Sequence, residues 1–344
     1  MMQRFITEEE TFNGPLEILG RKRSDVKLVH GNIKTGELSV YNNFDSVVSL
    51  LSEGDMLIFN DSLTLPSSLY GYLKEMHDYC RIHVGQALEN GNILVEIRPK
   101  ELNTRISKGE TFVHPESGVQ FELERRFSLF TRYFEAKTSL QREDVKGFLS
   151  AYGYPIFYEG YTKPYPFHYY KNVFQTEPGS SEYPSASRPF TEEILNRLRK
   201  KGVITGTLTL HCNLGSLERD EYEYKNRLLD ETYRIPHDLV ENVINTKENG
   251  GRIIAVGTTV VRALVSSVKN GNMTNLSGQT HIKISGDSDI WPLDGIISGM
   301  HDPESSHLEL LEAFGGSKLI SPVGLIAHRF HLREHEFGDS MLIL

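Results

Sequence analysis

Cysteine is scarce in this sequence, with two in 344 residues, Cys80 and Cys212. Two thiols cannot build a disulfide framework or a multi-cysteine zinc site, so a stapled secreted scaffold is excluded and redox chemistry is not expected. No apolar run approaches the ~18 residues that span a bilayer, and the opening MMQRFITEEETFNG has no apolar stretch of the secretory kind. The expectation is a cytoplasmic protein with no membrane partner. Internal repeats and low-complexity tracts are missing, and so is a phosphate loop, because Gly315, Gly316, Ser317 and Lys318 lack the upstream glycine of that motif. Positive charge is in deficit as well. With 37 basic against 46 acidic residues the net charge is -9, so the molecule as a whole repels polyanions and nucleic acid could bind only a local patch. The basic clusters Arg21 to Arg23, Arg125 with Arg126, and Arg197 to Lys201 read as solvated faces.

What is present is ordinary for a folded protein, 38% hydrophobic and 24% charged, and the length suggests about two domains. From about Leu69 to Leu149 short alternating runs follow one another without a helical period, and Asn90, Gly91, Asn92 between two of them is a hairpin signal. This predicts a small antiparallel barrel or sandwich. Between Gly153 and Pro189, six of the 14 prolines and seven of the 16 tyrosines make a long irregular connector. It reads equally as a linker whose rings pack on the barrel, or as a substrate wall on which Tyr165, Tyr169 and Tyr170 stack bases.

Helices and strands then alternate, which predicts an α/β core. Thr191 suits an N-cap, Glu192 and Glu193 suit the helix dipole, Phe190 can staple onto Leu195, and Gly202 closes the helix. Val203 to Leu210 reads as a strand ending at the loop His211 to Gly215. A helix is expected over Pro236 to Asn249, a strand over Arg252 to Val256, and a helix over Val260 to Val268. The strand, the turn Gly257, Thr258, Thr259 and the helix with Arg262 make a natural anion site, because a helix N-terminus presents unpaired amides. If the two strands lie parallel, His211 should border the same crevice. His211 and His301 are candidate acids or bases, and each also suits a hydrogen-bonded core histidine. His331, Leu332, Arg333, Glu334, His335 matches the H-x-x-E-H zinc pattern, but the short tail offers no third ligand from another helix, so no metal is expected.

Laid out in order, these segments resemble the S-adenosylmethionine:tRNA ribosyltransferase-isomerases, the epoxyqueuosine-forming enzymes of queuosine biosynthesis. The resemblance is carried by Asn60, Asp61, Pro66 and Gly71, by Tyr170, Val173, Phe174 and Pro178 to Ser180, by Pro184, Ala186, Phe190 and Thr191, and by Thr209 to His211 with Leu214 and Gly215. Glu231 and Tyr233, the block GGRIIAVGTTVVRAL from Gly250 to Leu264, Asp294, Gly295, Ile297, His301, Pro303, and the terminal Gly338, Asp339 and Met341 to Ile343 complete it. It implies a main α/β domain over 1–66 and 153–344 with a β-barrel insert over 67–152.

The implied chemistry uses S-adenosylmethionine as a ribosyl donor. A base takes a proton from the ribose carbon beside the sulfonium, adenine leaves, the ribosyl unit passes to a deazaguanine in the tRNA anticodon loop, and methionine departs as the epoxide closes. On this resemblance His211, Glu231 and His301 are the candidate catalytic residues. Thr209, Gly257, Thr258, Thr259 and Arg262 would hold S-adenosylmethionine, and Asn60, Asp61, Tyr170 and Arg188 the RNA. The chain departs from the family's usual wording at Pro189 (histidine), Leu63 (arginine), Leu229 with Asp230 (His-Ser) and Gly299 with Met300 (Asn-Phe). A divergent member is therefore expected, the alternatives being an altered acceptor or a non-catalytic RNA-binding scaffold.

Overall fold

The computed structural model describes residues 12–127, 132–157, 164–215, 229–300, 306–334 and 336–344. The chain enters through a hairpin, β1 (Leu28–Asn32) and β2 (Glu37–Tyr41), followed by β3 (Met56–Asn60). Every residue of β3 is buried because the strand is covered on both faces. Met56 and Ile58 join one core, while Leu57 and Phe59 join the other.

After Asn60 the short strand β4 (Ser62–Thr64) leads away into β5 (Ser68–Leu73), β6 (Asp78–Ala87), β7 (Ile93–Arg98), β8 (Thr111–Val113), β9 (Gln120–Arg126) and β10 (Tyr133–Thr138). β5 to β10 form the expected barrel, closed in the order β10-β7-β6-β5-β8-β9 with every pair antiparallel. The predicted turn joins β6 to β7. Gly91 takes φ 85°, a left-handed value that suits glycine, and the Leu88 amide donates to the Asn92 carbonyl at 2.7 Å. Phe148 and Leu149, on the helix Asp144–Tyr152, complete the barrel core.

The returning chain pairs β11 (Glu177–Ser180) in parallel with β4. It then supplies β12 (Ile204–Leu210), β13 (Glu231–Arg234), β14 (Ile253–Val256), the ribbon β15 (Val268–Lys269) and β16 (Asn272–Met273), then β17 (Ser277–Thr280), β18 (Gly295–Gly299) and β19 (Ser340–Ile343). Among the described residues the main sheet has nine strands in the order β17-β13-β12-β3-β14-β18-β19-β1-β2. Its middle, β12, β3, β14 and β18, is parallel, so these strands end on one side. The helices Glu192–Lys200, His237–Glu248 and Thr258–Ser267 cover the two faces. Thr191 caps the first of them, its hydroxyl accepting the Ile194 amide at 3.3 Å. The last begins two residues earlier than the sequence suggests, because Gly257 at φ 100° takes the cap position and draws Thr258 and Thr259 into the first turn.

The described part of the H-x-x-E-H run, His331 to Glu334, is not helical. The helix Val323–Phe330 stops before it, and His331 is its left-handed C-cap at φ 49°, while His335 lies outside the described residues. Among the described residues no three metal-ligating side chains converge, and no single helix is long and apolar enough to cross a membrane.

The barrel carries a buried ionic cluster on β6, β7 and the start of β10. Glu96 accepts from His83 Nδ1 at 2.9 Å and faces Arg98 at 2.6 Å and Arg132 at 3.0 Å. Burial alone would raise the Glu96 pKa, but the His83 bond and the nearby positive charges outweigh it and hold the group at about 2. A carboxyl depressed in the folded state stabilises the fold above its unfolded pKa and loses that contribution as pH falls through the folded one. The urea midpoint should therefore drop between pH 5 and pH 2.5, with a smaller drop in Glu96→Gln measured over the same series.

Candidate active site at the strand ends

The ends of β12, β3 and β14 open into a cleft enclosing about 1050 Å³ of space, open solvent included. Asn60, Glu231, Gly257, Thr258, Thr259 and Arg262 line it. Asn60 is the knot. Its Nδ2 donates to the Leu210 carbonyl at 2.8 Å and to Thr259 Oγ1 at 3.2 Å, and its Oδ1 accepts the amides of Leu210 and Ser62, each at 3.0 Å. One side chain thus ties the ends of β3 and β12 to the first turn of the helix Thr258–Ser267.

Glu231, at the start of β13, is buried and ion-paired with Arg262 Nη1. Its Oε1 also accepts the Asn213 amide at 2.9 Å. Arg262 sits one turn into the helix Thr258–Ser267, as the sequence suggested, but it is not an unengaged guanidinium awaiting an anion. It holds a carboxylate in place beside the helix N-terminus, where unpaired amides and the dipole favour negative charge.

His211 is not among the residues that line this cleft. Alternation along a strand sends neighbours to opposite faces, and Leu208, Leu210 and Cys212 all belong to the core beneath the helices His237–Glu248 and Thr258–Ser267. Thr209 and His211 therefore face the other way. Thr209 donates to Asp61 Oδ1 at 2.7 Å. The His211 ring lies against Gly179, where any side chain would collide with it, and its Nδ1 is 2.7 Å from Ser62 Oγ. Ser62 Oγ lies 2.6 Å from Ser180 Oγ, which accepts the Cys212 amide at 2.9 Å. The expected single crevice is thus two sites back to back across the ends of the same strands. The barrel touches the second of them, since Gln86 donates from its Nε2 to the His211 carbonyl at 2.6 Å.

Burial chiefly, with Lys146 and Arg234 adding to it against Glu177, lowers the His211 pKa below its ordinary 6.5. The hydrogen bonds also fix its tautomer. If Cys212 N–H donates to Ser180, Ser180 to Ser62, and Ser62 to Nδ1, each hydroxyl donates once and accepts once. The reverse arrangement leaves the buried Ser180 hydroxyl without an acceptor, so the neutral ring carries its proton on Nε2. Asp61, which accepts the Thr209 hydroxyl, has its pKa raised, chiefly by burial.

Three of the expected RNA contacts are interior residues, Asn60 among them through the bonds that tie it into the strand ends. Tyr170 is buried in edge-on contact with Tyr183 and Phe337, at 5.7 Å and 5.1 Å, so in this arrangement it offers no face to a base. Arg188 is buried too, clamping Glu17 through both carboxylate oxygens at 2.8 Å and 2.7 Å. The partner that makes it structural stands 171 residues away, which no local pattern reveals. His301 lies outside the described residues. Conversely, Lys283, Ser298 and the run Tyr183 to Ser187 line the cleft without having been anticipated. Lys283, paired with Glu309 at 2.5 Å, sits in an unremarkable HIKIS stretch, and only the topology brings it there.

A parallel α/β layer opening a small-molecule cleft at its strand ends, with a closed barrel inserted between β4 and β11, defines an α/β enzyme with a second surface beside its site. Comparison narrows this. The queuosine biosynthesis protein family matches residues 8–343, and the chain belongs to that family as one of its enzymes. Similar curated proteins include the S-adenosylmethionine:tRNA ribosyltransferase-isomerases of Carboxydothermus hydrogenoformans and Halothermothrix orenii. Each is 28% identical; the alignments cover 99% and 98% of this chain, and 98% and 99% of the relatives. The crystal structure of the S-adenosylmethionine tRNA ribosyltransferase of Thermotoga maritima has the same fold, with a TM-score of 0.53, 23% identity and 99% of both chains covered.

Proposed function

We propose that this protein is an S-adenosylmethionine:tRNA ribosyltransferase-isomerase that passes the ribosyl unit of S-adenosylmethionine to a deazaguanine in the tRNA anticodon loop, in the cytoplasm, releasing adenine and methionine. The observation that carries this reading is the buried Glu231–Arg262 pair beside a helix N-terminus at the ends of parallel strands. There the amides of Thr258 and Thr259 donate to the methionine carboxylate, and the fixed Glu231 carboxylate stands as counter-charge to the sulfonium. His211, on the barrel side of the same strands, presents a donor Nε2–H to the acceptor nucleotide, with Asp61 and Thr209 beside it. A non-catalytic scaffold is disfavoured, since the cleft keeps its ion pair and the full-length relatives carry the enzyme's name.

Incubation with S-adenosylmethionine and tRNA bearing the aminomethyl deazaguanine should release adenine and methionine in equal amounts, with a matching gain in tRNA mass. Binding of S-adenosylmethionine with no tRNA-dependent adenine would refute the assignment.

A further inference from the structure

The outer face of the barrel carries an aromatic ladder that the active site does not use. Antiparallel pairing sets Tyr70 opposite Arg81 and Tyr72 opposite Tyr79, while Leu69, Leu73, Cys80 and Ile82 point inward to the barrel core. Tyr154 extends the row through its backbone bridge to Ser68, and its ring meets Tyr70 edge-on at 5.5 Å. Tyr72 and Tyr79 meet at 6.2 Å, and the Arg81 guanidinium lies 4.1 Å over the Phe157 ring.

Packing does not account for these rings. Tyr79 is 83% exposed, Tyr154 47% and Tyr70 43%, so each leaves much of its surface in water. A cross-strand aromatic pair stabilises a hairpin by only ~0.2–1 kcal/mol, and contiguous exposed apolar surface on a folded chain usually marks a partner. Among the rings stands the Arg81 guanidinium, on a protein whose net charge is -9, while its register partner Arg98 is buried and paired with Glu96.

The strand that carries Tyr79 and Arg81 also leads to the active site, since Gln86 near its far end donates to the His211 carbonyl at 2.6 Å. Flat rings interleaved with a guanidinium suit unpaired nucleotides, because bases stack on aromatic faces whatever their identity while the cation meets the phosphate. From Ser68 to Tyr72 the strand spans about 14 Å.

We infer that this ladder, Tyr154, Tyr70, Arg81, Tyr72 and Tyr79, is a docking surface for a single-stranded part of the tRNA, holding nucleotides beside the one that reacts. The inference rests on the tRNA reading above and extends it to a surface outside the cleft.

The test uses the full chain with Tyr70→Ala, Tyr79→Ala and Tyr154→Ala, singly and together, and Tyr79→Phe as the conservative partner. Affinity for unmodified tRNA is measured by fluorescence anisotropy, S-adenosylmethionine binding by calorimetry, and folding by thermal melting. Each alanine should weaken tRNA binding about 5- to 100-fold, the range that one lost base stack implies. The phenylalanine variant should keep most of the affinity, and S-adenosylmethionine binding should not change. Unaltered tRNA affinity in the folded triple variant would overturn the ladder alone and leave the face to a protein partner. Failure of the wild type to bind tRNA while binding S-adenosylmethionine would instead overturn the tRNA reading, and the ladder with it.

Discussion

Arg262→Ala should weaken S-adenosylmethionine binding about 10- to 100-fold and destabilise the fold by about 3–5 kcal/mol. Two different losses are involved. A charged hydrogen bond contributes ~1.5–3 kcal/mol, and it disappears whether Arg262 meets the ligand itself or holds Glu231 for it. The stability loss comes from Glu231, which stays buried with its Oε2 facing no cation, and stranding one member of a buried pair is far more damaging than removing both. The double change Arg262→Met with Glu231→Met should thus recover much of the melting temperature while S-adenosylmethionine binding remains lost. Calorimetry and thermal melting on the three proteins separate the two effects. An Arg262→Ala protein with wild-type affinity and stability would remove the pair from the site.

The second large effect is expected at His211. His211→Ala should leave S-adenosylmethionine binding nearly intact and reduce ribosyl transfer to tRNA about 10²- to 10⁴-fold, the usual contribution of a positioned proton donor or acceptor. The side chain faces away from the cleft, so the two readouts separate, and a variant that lost S-adenosylmethionine binding would contradict its assignment to the barrel side. The pH dependence has a definite sign. The His211 pKa is held below 6.5, so the ring is neutral at pH 7 and protonates only as the pH falls below that value. The Nε2–H donor survives protonation, but a proton on Nδ1 displaces the Ser62 hydrogen bond that orients the ring, so activity should decline on the acid side through that lowered pKa. Ser62→Ala frees Nδ1 from the serine chain and should change the position of this limb, because the tautomer is then no longer fixed.

Where local chemistry decides an element, the sequence was sufficient. Thr191 caps its helix, the Asn90-Gly91-Asn92 turn makes its hairpin, and the alternation from Leu69 onward closes into a barrel. The strand IIAV followed by glycine and two threonines lands at the cleft because one run of residues supplies both the strand and the helix N-terminus. What failed depended on residues distant in the chain or on parity. Arg188 and Tyr170 looked available, but Glu17 and Phe337 bury them. Lys283 and Ser298 carry no motif and reach the cleft only through the fold. The facing of His211 was in fact legible: Leu208 and Leu210 are inward, so counting on by twos makes Cys212 inward and His211 outward.

The side-chain amide of Asn60 has a structural consequence for how this chain could have come to hold an inserted barrel. It accepts the Leu210 N–H and donates to the Leu210 C=O, the two bonds that successive peptide groups of a neighbouring parallel strand would make. The main chain is therefore released one residue earlier than the ladder ends, and β4 turns away while the sheet keeps its last rung. Aspartate there lacks the donor, and glutamine is one methylene too long to stand in for a backbone unit. A fork closed in this way lets whole modules be lengthened, exchanged or lost beyond Ser62 without unravelling the parallel layer, so the substrate-facing appendage and the small-molecule cleft can diverge at separate rates.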